Sequence, residues 1–427
     1  MAQTFLHTLV FFADRLMLGR HSADALAQMQ ISGALLWSIF SIFSSFSAGT
    51  VAVVARAVGE GDREKARRSA GAALALGLWL GLAVGAAVAG FAPRLVSLYR
   101  PEPGIAALAR DFAGTVGLAL PLLFVGFAGT TVLRAAGDTR TPMYVAILTN
   151  VVNVFGNYVL IFGKLGAPEL GVRGAAIATG TAWAVEAVLI VAVLLSRRGA
   201  LSLSPRDVLL PSLERLRAIA RVTGPATLEA VVFHGGFQLF VGIVASLGGG
   251  AMAAQQACVS IESFSFLPAE AFGIAAATIV GQKLGAGRPE EARAGARVAA
   301  LLGVLLLSTL GVVYLVLAGP LVALFLDDPA VRGLARTSLR IGALEQPTLA
   351  AAVALAHALR GAGDTRSPLV VTLAGVWVVR LGLSYGLAIG LGLGLPGIWM
   401  ATAVDWGVRA LLLLRVWRRG AWVRAKV

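Results

Sequence analysis

Long apolar stretches separated by short polar segments recur along the whole chain. The stretches 70–92, 298–319 and 369–391 are typical. Each is long enough to cross a bilayer, since a hydrocarbon core of ~30 Å needs about 20 apolar residues in a helix. The pattern predicts an all-α polytopic membrane protein with twelve spanning helices. The expected spans are 2–19, 31–55, 69–92, 112–133, 142–163, 173–195, 222–247, 252–281, 297–319, 339–359, 368–391 and 396–417.

The second half of the chain repeats the first at a constant offset of 226 positions. The segment 133–157, LRAAGDTRTPMYVAILTNVVNVFGN, corresponds to 359–383, LRGAGDTRSPLVVTLAGVWVVRLGL. The segment 54–71 corresponds to 280–297 without a gap. Such self-similarity indicates two homologous six-helix bundles in tandem. The predicted organisation is a first lobe over 1–195, a cytoplasmic linker over 196–221 and a second lobe over 222–427.

The linker 196–221 is the only long polar interval. Leu209, Leu213, Leu216 and Ala220 would share one face of a helix, with charged residues on the other faces. This spacing predicts an amphipathic helix lying along the membrane surface.

The first predicted span, 2–19, is shorter than its repeat partner. Its 18 residues reach only about 27 Å at ~1.5 Å per residue. The repeat partner also includes Pro225, whose counterpart would precede Met1. We therefore expect either a start recorded too late or a truncated first helix. No cleavable signal peptide is evident, because the first apolar segment lacks a basic start.

The composition agrees with a membrane protein and the charge sets its orientation. Apolar residues make up 58% and charged residues 14% of the chain, and the mean hydropathy is +0.82. Of the 36 Lys and Arg residues, 24 fall in segments that face the cytoplasm if both termini do, and 9 fall on the other side. The positive-inside bias therefore predicts cytoplasmic termini. It also explains the net charge of +14 better than nucleic-acid binding does. Six helices per half make the two repeats parallel.

Motifs for enzyme chemistry are absent from the sequence. It contains no HExxH, no GxSxG and no Cys/His cluster, and the single Cys258 excludes an internal disulfide. The paired AGDTR loops at 136–140 and 362–366 are not nucleotide sites, because no G-K-[ST] follows. They predict sharp cytoplasmic turns in which Gly permits positive φ, Asp caps the next helix and Pro142 or Pro368 begins it. We expect no enzyme activity and no cofactor.

A stripe of amides marks the fifth span. Asn150, Asn153 and Asn157 fall at i, i+3 and i+7, on one helical face. Their repeat counterparts are apolar, so the fold itself does not require amides there. Asn oxygens suit Na⁺ coordination or a hydrogen-bond relay. The alternative is a structural bond between helices, worth only ~0.6 kcal/mol on average.

Ionisable residues inside spans are costly and are therefore candidates for function. Asp14 lies in the first span, Glu229 in the seventh and Asp405 in the twelfth. Asp405 and Arg409 form an i, i+4 pair, which favours a structural ion pair. Glu229 has no adjacent base in the sequence and is the better candidate for cation coupling in the second lobe. Three further glutamates could line a cavity or join helices: Glu186, Glu262 and Glu270. Asn150 is a further possible cavity-lining residue.

Several motifs resemble the multidrug and toxic compound extrusion (MATE) family of the MOP flippase superfamily. They are the paired LRxAGDTRxP loops, NVVNVFGNYVLIFG at 150–163, GVRGAAIAT at 171–179, GPATLE at 224–229, IVGQKLGAG at 279–287 and ADRLMLGRHSADALA at 13–27. The resemblance covers essentially the whole chain. It implies two six-helix lobes in a V shape and cation-coupled export of organic compounds.

The resemblance also assigns roles to individual residues. It places Asp14 on the acidic residue of the family's first helix that binds the coupling ion, H⁺ or Na⁺. Asn153 and Asn157 match positions that complete this site, and Thr179 is expected to join them. Glu229 matches a family carboxylate implicated in cation binding. Arg15 departs from the small hydroxyl residue usual in the family, and it could point outward or keep Asp14 ionised.

The resulting hypothesis is a secondary active exporter that works by alternating access. It would exchange H⁺ or Na⁺ for an organic, cationic or amphipathic small molecule. We expect a monomer in the bacterial cytoplasmic (inner) membrane, with the lipid bilayer and the substrate as its partners. A lipid-linked saccharide flippase of the same superfamily is the alternative, and an arginine-lined cavity would favour it. A membrane-embedded transferase would need a polar catalytic loop, which this chain lacks.

Overall fold

All regular secondary structure in the described part of the chain is helical, as predicted. The computed structural model describes residue 14 and residues 16–97, 99, 102–196 and 201–425. The α-helices are α1 (Ala23–Ser44), α2 (Phe46–Gly59), α3 (Arg63–Ser97), α4 (Pro103–Ala135), α5 (Arg140–Ile161), α6 (Gly171–Leu195), α7 (Pro205–Leu209), α8 (Leu213–Ser246), α9 (Gly249–Gly285), α10 (Pro289–Ala323), α11 (Pro329–Gly342), α12 (Gln346–Ala362), α13 (Arg366–Leu373), α14 (Leu381–Tyr385) and α15 (Gly394–Arg419).

Ten helical stretches of the described residues are long and apolar enough to cross a membrane. The predicted span 2–19 falls mostly outside the described residues, although residues 16–21 are helical. The predicted span 339–359 is not one of the ten, because its helix is divided by a 3₁₀ turn at Ala343–Glu345. Its longest piece, α12, has 17 residues. The predicted span therefore consists of the end of α11, the 3₁₀ turn and α12.

The apolar surface of the helices identifies their surroundings. Helix α10 is strongly apolar, yet much of it is not buried in protein. Leu305 and Val316 on this helix are 64% and 65% exposed. Such surface would be a liability in water and is the expected face toward lipid tails.

The repeat seen in the sequence extends to the backbone. Helices α1, α3, α4 and α5 begin 226 positions before α9, α10, α11 and α13. Glycines with positive φ repeat at the same offset, with φ of 96° at both Gly137 and Gly363. Asp138 accepts hydrogen bonds from the backbone N–H groups of Arg140 and Thr141 at 3.1 and 3.0 Å. Its counterpart Asp364 accepts a hydrogen bond from the backbone N–H of Ser367 at 3.0 Å, so Asp caps the next helix in both copies, as predicted.

The linker does not form the continuous helix that its pattern suggested. Helix α7 ends at Leu209 and α8 begins at Leu213. Leu210 has φ −123° and ψ 67°, outside the helical region. The reason is Pro211, which disfavours a helical conformation in the residue before it. Helix α8 then continues through Pro225 into the predicted seventh span.

The chain divides into two compact units, residues 1–219 and 220–427. Within the first unit, α3 packs on α4 through a glycine stripe, Gly77, Gly81 and Gly85, spaced at i, i+4 and i+8. A Cβ added to Gly81 would lie 2.6 Å from Pro121 Cα, and one added to Gly85 would lie 2.6 Å from the Gly117 carbonyl oxygen. Small residues at this spacing let membrane helices approach closely. The glycine stripe therefore determines the distance between α3 and α4.

This packing predicts that Gly81→Ala destabilises the protein. The added methyl group meets backbone rather than a mobile side chain, and overpacking of this kind costs about 1–3 kcal/mol. The measurement is the thermal unfolding midpoint of the purified protein in detergent. Gly90→Ala on the same helix is the matched control, because its Cβ would meet nothing within 4 Å. Equal midpoints for the two variants would contradict the close approach.

Candidate functional site

The structure brings four of the predicted residues of the first unit into one hydrogen-bonded cluster. The Asn157 Nδ2 group donates to Asp14 Oδ1. The same group donates to Asn153 Oδ1 at 3.1 Å. The Asn153 Nδ2 group donates to Thr179 Oγ1 at 3.3 Å. Asp14, Asn157, Asn153 and Thr179 are thus linked in a row, which we call the amide cluster.

Local sequence explains how α5 and α6 hold this row. Asn153 and Asn157 are one helical turn apart on α5, and both are buried. Small residues keep α6 close: a Cβ on Gly156 would lie 3.1 Å from the Cβ of Ala178. Ala178 directly precedes Thr179, so this contact brings the hydroxyl within reach of Asn153.

The amide cluster has an excess of oxygen acceptors. Asn157 Oδ1 is buried and accepts no hydrogen bond from any described group. Asp14 adds a carboxylate, and Asn153 and Thr179 add a carbonyl and a hydroxyl oxygen. Hard cations such as Na⁺ prefer oxygen ligands. A proton on Asp14 would equally provide the donor that Asn157 Oδ1 lacks.

Two other predicted residues of the first unit lie outside the amide cluster. The Nδ2 group of Asn150 is buried but donates to no described group. Glu186 is buried on α6, and the positively charged Arg134 of α4 lies near enough to act on it. Arg15 lies outside the described residues.

In the second unit, Glu229 pairs with a basic residue that lies far from it in the sequence. Arg360, from α12, donates from Nη2 to Glu229 Oε1 at 2.8 Å and from Nε to Oε2 at 3.3 Å. The Thr372 hydroxyl donates to Glu229 Oε1 at 2.7 Å. Glu229 is therefore one partner of an ion pair whose base is not adjacent in the sequence, since Arg360 lies 131 positions away. Its coupling role stays a prediction.

Asp405 has the predicted partner and a second one. Arg409 donates from Nε to Oδ1 and from Nη2 to Oδ2, both at 2.8 Å. Arg380 donates from Nε to Oδ2, also at 2.8 Å. The two guanidinium groups also lie 4.9 and 5.5 Å from the Trp406 ring centroid. Asp405 is completely buried, so a structural ion-pair network accounts for it.

Glu262 lies beside an acid that the sequence analysis did not single out. It is 7% exposed, and Glu345 of the 3₁₀ turn, 2% exposed, lies within hydrogen-bond reach of it. The repeat offers a signal that could have identified Glu345. Its counterpart in the first half is Ala119, so an acid replaces an apolar residue there. Glu270 is paired instead with His357, at 3.0 Å.

Comparison with known proteins identifies relatives along the whole chain. A family model described as MatE matches residues 1–159 and 225–386, one match in each half. The chain is 31% identical over 434 residues to the "Probable multidrug resistance protein NorM" of Thermotoga maritima, covering 100% of this chain and 92% of that protein. It is 25% identical to the "Uncharacterized transporter YisQ" of Bacillus subtilis, covering 96% and 90%.

Solved structures with the same fold are also found. A MOP superfamily transporter from Pyrococcus furiosus superposes with a TM-score of 0.91 at 21% identity, covering 100% of this chain and 94% of that chain. An outward-facing multidrug resistance MATE family transporter superposes with a TM-score of 0.90, also at 21% identity, with the same coverage of 100% and 94%. At these identities the likeness concerns the fold.

The ion-pair network predicts a large loss of stability for Asp405→Asn. Two buried guanidinium groups would lose their shared counter-charge, and breaking a buried pair costs about 3–5 kcal/mol. Unfolding of the purified protein in detergent measures this cost. Glu290→Gln is the control, because its pair with Arg293 is on the surface, with Glu290 79% exposed. A stable Asp405→Asn protein would exclude a structural role for the network.

Proposed function

The chain belongs to the MatE family of membrane transporters, and from that membership we propose that it is a secondary active exporter of small organic compounds. We further propose that export is coupled to entry of H⁺ or Na⁺ and that the substrates are cationic or amphipathic. Several relatives are named as probable multidrug resistance proteins, which supports the direction and breadth of transport. Family members are transporters rather than enzymes, which agrees with the absence of catalytic motifs.

The amide cluster is the observation that carries the coupling proposal. An ionised carboxylate inside the hydrocarbon region is costly, and the described hydrogen-bond partner of Asp14 is an uncharged amide, that of Asn157. A proton or Na⁺ that reaches Asp14 therefore lowers the cost of burying it. The second lobe lacks an equivalent site, since the counterparts of Asn153 and Asn157 are Val379 and Leu383.

Ion binding at the cluster would change the packing of three helices. With H⁺, Asp14 becomes a donor and the Asn157 amide turns to present Oδ1. With Na⁺, the oxygens of Asp14, Asn153, Asn157 and Thr179 turn toward the ion. Either change alters how the helix bearing Asp14 contacts α5 and α6. We propose that this change shifts the balance between inward-open and outward-open states, since a ligand shifts an equilibrium by its differential affinity. The site of action is the bacterial cytoplasmic membrane, with both termini in the cytoplasm.

Asp14→Asn is expected to abolish coupled efflux. The amide keeps the shape of the side chain but neither gains a proton nor contributes a full negative charge to a cation site. The assay is efflux of a fluorescent organic cation from vesicles containing the purified protein, with pH and sodium gradients imposed separately. Unchanged efflux at equal protein content would refute the coupling role. Transport of a lipid-linked saccharide, without any organic cation, would favour the flippase alternative.

A matched pair of Asn→Leu substitutions tests the geometry of the site. Asn157→Leu removes a hydrogen bond to a charged group, worth about 1.5–3 kcal/mol, so efflux should fall by roughly tenfold or more. Asn150→Leu lies two turns away on the same helix face and removes no described hydrogen bond, so efflux should change little. The proposal fails if both variants lose the same activity while folding normally.

A further inference from the structure

Two buried carboxyl groups lie beside each other in the second unit, and each has an oxygen to which no described group donates a hydrogen bond. The groups are Glu262, on α9, and Glu345, in the 3₁₀ turn between α11 and α12. The Thr402 hydroxyl lies beside Glu345, but it donates its proton to the Trp399 carbonyl oxygen at 2.8 Å. Glu262 Oε1 and Glu345 Oε2 are buried and have no hydrogen-bond partner among the described groups.

The groups around Glu262 cannot provide the missing donor. Cys258 directs its thiol to the Ala335 carbonyl oxygen at 3.3 Å. The Tyr314 hydroxyl donates to the Ile261 carbonyl oxygen at 3.1 Å. Ser265 is also held by Tyr314, at 2.9 Å. Both titratable neighbours on this side, Cys258 and Tyr314, are therefore committed elsewhere and carry no positive charge.

Among the described residues, the positive charge of Arg380 acts on Glu345, but most of its guanidinium group is used elsewhere. Its Nε group donates to Asp405, which also pairs with Arg409. Its buried Nη2 group has no partner among the described groups. Arg380, a member of the ion-pair network, thus keeps an unused N–H donor on Nη2.

The guanidinium groups of the second unit are paired with other acids. Arg360 pairs with Glu229, whereas Arg380 and Arg409 pair with Asp405. Glu262 and Glu345 therefore have no ion-pair partner of their own among the described residues. Like charges repel strongly where no water screens them. Facing carboxyl groups in such surroundings share one proton.

The fold itself does not require the two acids. The counterparts of Glu262 and Glu345 in the first half are Leu36 and Ala119. The same helical scaffold therefore forms with apolar residues at these positions. A buried acid pair that packing does not demand is a candidate for chemistry special to the second unit.

We propose that Glu262 and Glu345 form a second proton-binding site, independent of the amide cluster on which the proposed function rests. In the protonated state one O–H group bridges the two carboxyl groups. On release, that O–H bond breaks, the proton passes to water and the electron pair stays on the carboxylate. The new negative charge is met by the N–H of Arg380 Nη2. The ion-pair network thus provides the counter-charge that makes release reversible.

Infrared titration of the full chain in lipid nanodiscs tests the site. The signal is the C=O stretch of protonated carboxyl groups, measured as the pH is raised. Asp14→Asn serves as the background, so the first unit's acid does not contribute. Adding Glu262→Gln and Glu345→Gln together should remove the signal of one protonated carboxyl per chain. Titration with a pH indicator should show one proton fewer bound.

Glu270→Gln on the same helix is the matched control and should leave the Glu262–Glu345 signal unchanged. Replacing the pair by the residues of the first half, Glu262→Leu with Glu345→Ala, guards against misfolding, because that combination already occurs at the equivalent place. An identical carboxyl signal in the background protein and in both double variants would overturn the proposal. This outcome is distinguishable from failure of the amide cluster, which is tested by efflux with Asp14 present.

Discussion

Matching of buried charge within each unit is the constraint on which the rest of this structure depends. Inside the hydrocarbon region no water is available to solvate a carboxylate or a guanidinium group, so each must find a partner in the protein. Asp405 meets two arginines and Glu229 meets Arg360. The described hydrogen-bond partner of Asp14 is the uncharged Asn157 amide. An incoming ion would therefore lower the cost of burying this acid.

The two halves show how one backbone carries two kinds of polar interior. Helix starts and turn glycines repeat at the 226-residue offset, whereas the interior side chains do not. Thr179 of the amide cluster corresponds to Asp405 of the ion-pair network, and Asp14 corresponds to Phe240. The scaffold thus depends on capping, turn and small-residue positions, while the interior positions are open to different chemistry.

Close backbone approach makes the ion-pair network possible. Gly375 lies in a π-helical stretch, Ala374–Arg380, between α13 and α14. A Cβ at this position would lie 2.5 Å from Arg409 Nε and from Asp405 Oδ1. The missing side chain leaves room for the network, and the widened π-helical turn ends at Arg380, one of its members. Irregular helix geometry of this type is frequent at functional sites.

The sequence by itself determined the features that depend on periodicity and local chemistry. Apolar runs gave the helices, the constant offset gave the repeat, and helical spacing placed Asn153 beside Asn157 and Asp405 beside Arg409. The break of the linker helix before Pro211 was also local, but the pattern of leucines concealed it. Asp14 joined the amides only through the family resemblance.

Only the tertiary structure decided which helix faces meet. Arg360 and Glu229 are separated by 131 positions, and the partner of Glu262 lies on a turn that no periodicity predicts. Helical spacing defines the residues that share a face, but it carries no information about the face packed against it. Two properties therefore belong to the folded unit alone. Glu229 forms an ion pair with Arg360, and the Glu262–Glu345 pair has no ion-pair partner among the described residues.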